Sequence, residues 1–483
     1  MGIHAVVGCD YRHTNYAGCM KFLRLPLVPL AALGVLIVRM LGKVGVNIRF
    51  GGFVSNRLGH LCGNTNVYLS ERAAGLHPNL HLWTHYGPIC NTQMAKMIAR
   101  VMPVDPTRFT VLMVLINKMF KGWQKHDTCS ITWDRDPQNL NEKFPPHFSF
   151  TEAEEARGRH DTASLGIPLG HKWVCLIVRD AVYLPSLSYH SYRNSDIDTY
   201  ADAALLLARL GYYVVRMGAK VEKPFSAKHP RIIDYATSDK RSDFLDIYLA
   251  AKCAFCITTS TGLDAVCEAF KRPMCFVNFA PLEHLRTYIP NSLAIWKHYL
   301  KATLVPVKGR LVNGAWEAYT DTGKEISHGG VAWLADDDLT EHDWKRMSIA
   351  EIAASGAGKF MRADEFTLAG IKLQDNTSQE IVDVVQEMAE LVGGVSLPNH
   401  QEQFWEDFPR SLDSTYGYPL HGEIRMRIGS KFLRSYDAER KEDIGSDTGE
   451  GRVKARTVQE HHALSRKATD SVDDGTGGSV EVS

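Results

Sequence analysis

Five short apolar runs, at residues 173–180, 212–217, 231–235, 253–258 and 273–278, alternate with helix-patterned segments, and no other feature restricts the fold so far. Strands that alternate with helices lie parallel in one sheet, and such a sheet takes its ligands just beyond the carboxyl ends of its strands. The polar residues of this stretch fall at those ends: Arg179-Asp180, Tyr192 through Asp196, Arg216-Met217-Gly218, Asp234-Tyr235, Ser242-Asp243 and Thr259-Ser260-Thr261-Gly262. The run 173–180 is nearly continuous in apolar residues, as a strand covered on both faces requires. Helices are expected over about 196–210, stopped by Gly211, over 242–251, and from near Gly262.

A chain of 483 residues exceeds one ordinary core, so two or three domains are expected. A strand at 47–55, a loop at 56–64, a helix at 65–74, a strand at 80–83 and an amphipathic helix at 93–101 outline a first, smaller α/β layer. Residues 110–120 are apolar and fit either strand or helix. Residues 134–170, rich in Pro, Asn, Glu and Arg, read as a connection with one acidic helical piece at 151–159. Residues 301–335 suggest loops and short strands that cannot be placed. Thr377 and Glu380 form a capping box that opens a helix running to about Leu391. The expected division is an N-terminal segment (1–44), a first domain (45–133), a linker (134–172), a second domain (173–395), a C-terminal segment (396–436) and a tail (437–483) whose charged, Ser- and Gly-rich composition predicts disorder.

Basic and acidic residues balance at 55 each, so no basic excess points to nucleic acid and any phosphate recognition falls to local arginines. Ten cysteines form no framework and suit a reducing compartment. Cys253-Ala-Phe-Cys256 lies in an apolar run and reads as buried strand rather than metal or redox pair. Neither G-x-x-x-x-G-K-[ST] nor G-x-G-x-x-G occurs, which weakens NTPase and dinucleotide readings. Residues 25–38 are uncharged and bracketed by Lys21, Arg24, Arg39 and Lys43, yet fall short of the roughly 20 residues of a spanning helix. An interfacial segment on anionic lipid is expected there, with a true span or a buried core helix as the alternatives. No cleaved signal peptide is expected.

The chemistry is expected at the strand ends. Thr259, Ser260, Thr261 and Gly262 stand between strand and helix, where first-turn amides, hydroxyls and close backbone approach suit a diphosphate; simple N-capping is the alternative. Arg179 and Arg216 end adjacent-type strands and would hold a departing nucleoside diphosphate without a metal, unless each pairs with a nearby acid. Arg193, Asn194 and Gly218 are further binding candidates, with Asp234 and Tyr235 for sugar or ribose hydroxyls and Ser242 as either contact or cap. In the first domain, His60 follows the first strand and is the candidate base, with Gly59 letting its loop approach. His81 and His85 are weaker candidates.

The ordered blocks Arg57-Leu-Gly-His60-Leu, Val178-Arg179-Asp180, Tyr192-Arg-Asn-Ser-Asp-Ile197, Gly211 through Gly218, Ile233-Asp-Tyr-Ala236, Arg241 through Asp246, Thr259 through Leu263, Asp375 through Ile381 and Ile428 through Leu433 resemble a family of bacterial glycosyltransferases. The resemblance covers about residues 45–435. It implies an α/β, GT-B-like fold: two Rossmann-like domains facing a cleft, the second binding the donor. The expected activity is metal-independent sugar transfer from a nucleotide-sugar donor to a polysaccharide or lipid-linked acceptor, with no cofactor and no nucleic-acid partner. The expected place is the cytoplasm, peripheral at the inner membrane, in cell-envelope polysaccharide synthesis. A sugar-nucleotide epimerase on the same fold and a non-catalytic sugar-nucleotide-binding or assembly protein are the alternatives.

Overall fold

The computed structural model describes residues 27–107, 109–131, 135–182, 185–302, 308–312, 315–319, 327–328, 331–332, 344–396, 404–405, 408, 412–413, 418–419 and 421–436. The expectations for most of 301–335 and for the tail 437–483 lie outside the described residues. Residues through Leu433 form one compact unit that contains two parallel sheets.

The smaller sheet has the order β3-β2-β1-β4, from β1 (Ile48–Phe53), β2 (Leu80–His85), β3 (Val104–Asp105) and β4 (Asp127–Ile131). Around it lie α1 (Val28–Lys43), α2 (Thr65–Ala73), α3 (Thr92–Val101) and α4 (Phe109–Asn117). The ambiguous run 110–120 is therefore helical: Met113, Val114 and Ile116 form one core with Ala31, Val35 and Val38 of α1 and Phe50 of β1. Gly34 permits that approach, since a Cβ there would stand 2.9 Å from Met113 Cε.

The loop expected at 56–64 is a correction. Helix begins at Leu58 and runs through a π-helical turn, His60–Asn64, straight into α2. Gly59 and Gly63 lower helix propensity and so read as loop, but here Gly59 packs against the Gly262 backbone and Gly63 against the Ala265 side chain.

The larger sheet runs Arg427–Ile428, β10, β9, β8, β5, β6, β7, and every pairing in it is parallel. Its strands are β5 (Trp173–Ile177), β6 (Tyr213–Arg216), β7 (Ile232–Asp234), β8 (Phe255–Thr258), β9 (Met274–Phe279) and β10 (Leu293–Trp296). The C-terminal segment thus supplies an edge strand. β5, β8 and β9 are almost wholly buried, which explains their unbroken apolar sequences. Cys256 lies within β8 and Cys253 just before it, both buried and free.

The connection at 134–172 is not slack. Its acidic helix α5 (Glu152–Ser164) opens on a Thr151/Glu154 capping box and is longer than expected. Glu154 accepts from Gln93 of α3 (2.7 Å) and Glu155 pairs with Lys252 (2.6 Å), so α5 ties the two sheets' helical layers together. Further helices, C-terminal to β5, are α6 (Ala201–Arg209), α7 (Asp243–Lys252), α8 (Asp264–Ala269) and α9 (Ser378–Val392); α9 carries the expected Thr377/Glu380 box. Among the described residues no helix is long and apolar enough to cross a membrane.

Candidate functional site

In the larger sheet the chain builds outward from β5, first to β6 and β7, then from β8 on the opposite side to β9 and β10. The reversal leaves a crevice at the carboxyl ends of β5 and β8, where open α/β sheets take ligands. Three sequence-predicted segments meet there: Arg179 N–H donates to Thr259 Oγ1 (3.0 Å), and Arg179 Nε donates to Asn194 Oδ1 (3.1 Å).

The anion cradle expected from Ser260, Thr261 and Gly262 differs in its parts. α8 has only six residues, and the Thr261 amide before it is already engaged. Ser260, in left-handed backbone with φ 60°, donates its N–H to Thr258 Oγ1 (3.0 Å), while Thr261 N–H and the Thr258 hydroxyl both donate to Asp264 Oδ2 (2.9 Å each). A buried carboxylate therefore occupies the place read for phosphate. Burial pushes the Asp264 carboxyl above its ordinary value; Arg286 and its hydrogen bonds oppose that. The Thr261 hydroxyl is buried with no hydrogen-bond partner.

Positive charge comes instead from side chains. Arg57, just after β1, comes within electrostatic reach of Arg179 and Arg193, and none of the three forms a carboxylate ion pair among the described residues. Asp180 favours the Arg179 charge only weakly, as the smallest of the influences on it, and forms no ion pair with it; its oxygens accept from the Val182 and Glu222 amides (3.1 and 2.9 Å). Burial, then repulsion from the other guanidinium groups, lowers the Arg179 pKa; burial is also the leading cause at Arg193. Arg193 Nε is buried, with no hydrogen-bond partner among the described residues. Beside them His190 is lowered to about 4, first by burial and then by Arg193, Arg179 and Arg57. Asp264 and Asp180 offset these three cations only in part, which is costly unless a further anion joins them.

Arg216 lies apart from this group. It is buried, and its Nη1 donates to Asp234 Oδ1 and to the Lys223 carbonyl (3.0 Å each). Asp234 also accepts the Phe225 N–H (2.9 Å), so the pair pins the chain after β6. A cavity of about 400 Å³ opens beside it, lined by Asp180, Asn194, Asp196, Arg216, Lys223 and Asp375 among others. Asn194 belongs to both places, lining the cavity and holding Arg179. Of the other candidates, Tyr235 is buried and donates to Asp246 (2.9 Å), Ser242 caps α7 through Leu245 N–H (3.2 Å), and Gly218 is tucked against Val221 and Ala236.

The helical turn after β1 meets the crevice backbone to backbone. A Cβ on Gly262 would lie 2.9 Å from Gly59 N, and one on Gly59 would lie 3.0 Å from Gly262 Cα. Cys62 Sγ donates to the Ala265 carbonyl (3.5 Å), and Thr92 donates through both N–H and hydroxyl to Asp243 (2.8 Å each). His60 is half-buried in this turn, with Nδ1 3.3 Å from Asn64 Nδ2. With the Asn64 N–H facing it, Nδ1 accepts and the ring proton sits on Nε2; turning the amide over would exchange the two roles. His81 instead is buried on β2, 2.5 Å from the Tyr68 hydroxyl, and its pKa is lowered to about 4 chiefly by burial.

Sequence reasoning passed over Arg57 as a ligand residue, although it stands two residues before Gly59. It ranked Arg193 below Arg216, because the partner that neutralises Arg216 lies 18 residues on.

Taken as a whole, the fold is α/β with two Rossmann-like parallel sheets. No protein-family model and no curated protein matches the chain. Among solved structures it is similar to the glycosyl transferase family 9 protein of Veillonella parvula DSM 2008, at 14% identity over 52% of this chain and 85% of that one, with a TM-score of 0.33. It is also similar to the iron-containing dodecameric glycosyltransferase TibC of enterotoxigenic E. coli H10407, at 16% identity over 48% of this chain and 59% of that one, TM-score 0.27. The TibC heptosyltransferase in complex with ADP-D-beta-D-heptose gives 13% identity, 48% and 57% coverage, and a TM-score of 0.27. Likenesses at those TM-scores carry no argument about function.

Proposed function

We propose that this chain is a glycosyltransferase that moves a sugar from a nucleotide-sugar donor to a polysaccharide or lipid-linked acceptor without a metal. One observation carries the reading: Arg57, Arg179 and Arg193 gather at the switch point with no carboxylate ion pair among the described residues. A diphosphate supplies the missing charge. The cavity sharing Asn194 with this group accommodates the nucleoside, its volume falling within the range of small-molecule sites.

In the proposed reaction an acceptor hydroxyl oxygen bonds to the anomeric carbon as the bond from that carbon to the diphosphate oxygen breaks. The electron pair leaves with the nucleoside diphosphate, and guanidinium groups already in place stabilise the growing charge. His60, brought to the crevice by the Gly59–Gly262 contact, is the proposed base for the hydroxyl proton. The epimerase alternative needs a free acid/base carboxylate pair, whereas Asp196 is held by Lys223 (2.7 Å) and Asp375 by Lys297 (2.6 Å), with Asp180 on backbone amides.

The test incubates the full chain with a panel of nucleotide sugars, with and without glycan and lipid-linked acceptors, in the presence of EDTA. Acceptor-dependent release of nucleoside diphosphate is expected. Epimerised donor without acceptor, or binding with neither transfer nor hydrolysis, would replace this reading with one of its two rivals.

A further inference from the structure

α1 carries two apolar stripes, and the core uses only one. Ala31, Val35, Val38 and Gly42, spaced four and three apart, are buried. Leu30, Leu33, Ile37, Met40 and Val44, spaced three and four apart on the opposite side, are exposed, with Met40 at 59% and Val44 at 76%. Such a row is apolar with no polar side chain between its members, unlike the charged outer face of an ordinary surface helix. Next to the C-terminal end of α1, the turn after α4 adds Met119, 83% exposed. Arg39 donates to the Lys121 carbonyl (2.7 Å) and Lys125 Nζ to the Gly42 carbonyl (3.2 Å), so this turn and the end of α1 form one surface.

The charge on that surface has a single sign. Residues 27–47 and 109–126 contain Arg39, Lys43, Lys118, Lys121 and Lys125 and no Asp or Glu. Lys43, Lys118, Lys121 and Lys125 are exposed. At 16 residues α1 is about 24 Å long, less than the roughly 30 Å of a bilayer core. An exposed apolar stripe edged by exposed lysines matches a helix lying in the plane of an anionic lipid surface. Pairing with a second copy would bring like charges together, since Lys21 and Arg24 precede the stripe and Lys43 ends it.

We propose that Leu30, Leu33, Ile37, Met40 and Val44, with Met119 and the lysines at 118, 121 and 125, form the face by which the chain docks on anionic lipid. This moves the contact from residues 25–38 to the outer side of α1 and the turn after α4. It stands independently of the sugar-transfer reading.

Co-sedimentation tests it, using the full chain with vesicles of phosphatidylcholine alone and of phosphatidylcholine with phosphatidylglycerol. Binding to the anionic vesicles is expected, weakening as salt rises. Leu33→Glu/Ile37→Glu should abolish it with the melting temperature preserved, because both side chains face solvent. Lys118→Gln/Lys121→Gln should weaken it about five-fold for each charge removed. Equal binding to neutral vesicles, or binding that survives Leu33→Glu/Ile37→Glu, would overturn the proposal. So would absent vesicle binding, including a result in which light scattering shows a dimer that Leu33→Glu/Ile37→Glu converts to monomer.

Discussion

Two regions at the carboxyl edge of the larger sheet use the same residue type in opposite ways. Beyond β6, Arg216 is buried against Asp234 at 3.0 Å, and its charge is spent on holding the chain that follows. Beyond β5 and β8, Arg179, Arg193 and Arg57 repel one another with no carboxylate paired to them among the described residues. A strand-end arginine therefore tells little by itself. What marks a ligand site is charge that the fold leaves unbalanced.

The largest effect that separates the two regions is on stability. Arg216→Ala leaves Asp234 in a poorly solvated place and should destabilise the fold by about 3–5 kcal/mol in chemical denaturation. The nucleotide affinity of the remaining folded protein should stay nearly unchanged; equal losses of both would place Arg216 in the phosphate site.

Next comes catalysis. Arg179→Ala should lower kcat about 10²–10³-fold, the loss typical of a preorganised group that meets developing charge. Denaturation midpoints should move little, since the change relieves repulsion while removing one bond to Asn194. A variant that unfolds without losing turnover would reverse the comparison.

Gly262→Ala is smaller. Its Cβ would sit 2.9 Å from Gly59 N, so the two loops must part at a cost of about 1–3 kcal/mol. Transfer should fall more than donor binding, because the His60 turn moves away while the arginines of β5 stay. Unaltered turnover would separate the Gly59 contact from the chemistry.

The smallest effect is a titration. His190 has a depressed pKa of about 4 in the fold against an ordinary 6.5, so below about pH 6.5 the unfolded chain takes a proton that the folded chain refuses. Its contribution to stability is full above that pH and is lost as pH falls toward about 4. A nucleoside diphosphate neutralising Arg193, Arg179 and Arg57 should raise the His190 pKa, seen by NMR of its ring protons. An unchanged value under saturating ligand would place the phosphates elsewhere.

Much of this was legible in the sequence. Most of the five strands stand out because burial on both faces leaves unbroken apolar runs, and Arg179 and Thr259 follow closely on β5 and β8. The phosphate cradle at Ser260 was misread, although Asp264 was visible two residues past Gly262, where its carboxylate takes the Thr261 amide. Arg57 escaped because its role needs the two sheets' loops to touch, a contact between residues 203 apart in the case of Cys62 and Ala265. The exposed row of α1 escaped because composition shows how apolar a helix is, not how much of it the core covers.

The central claim is that the three arginines at the switch point hold a diphosphate. Thermal denaturation of the full chain with a panel of nucleoside diphosphates tests it most directly, since a ligand that binds only the folded state raises Tm by mass action. At least one member should stabilise the wild type, with the shift abolished in Arg179→Ala/Arg193→Ala and retained in Arg216→Ala. A shift that survives loss of Arg179 and Arg193, or no shift with any nucleoside diphosphate, would contradict the account.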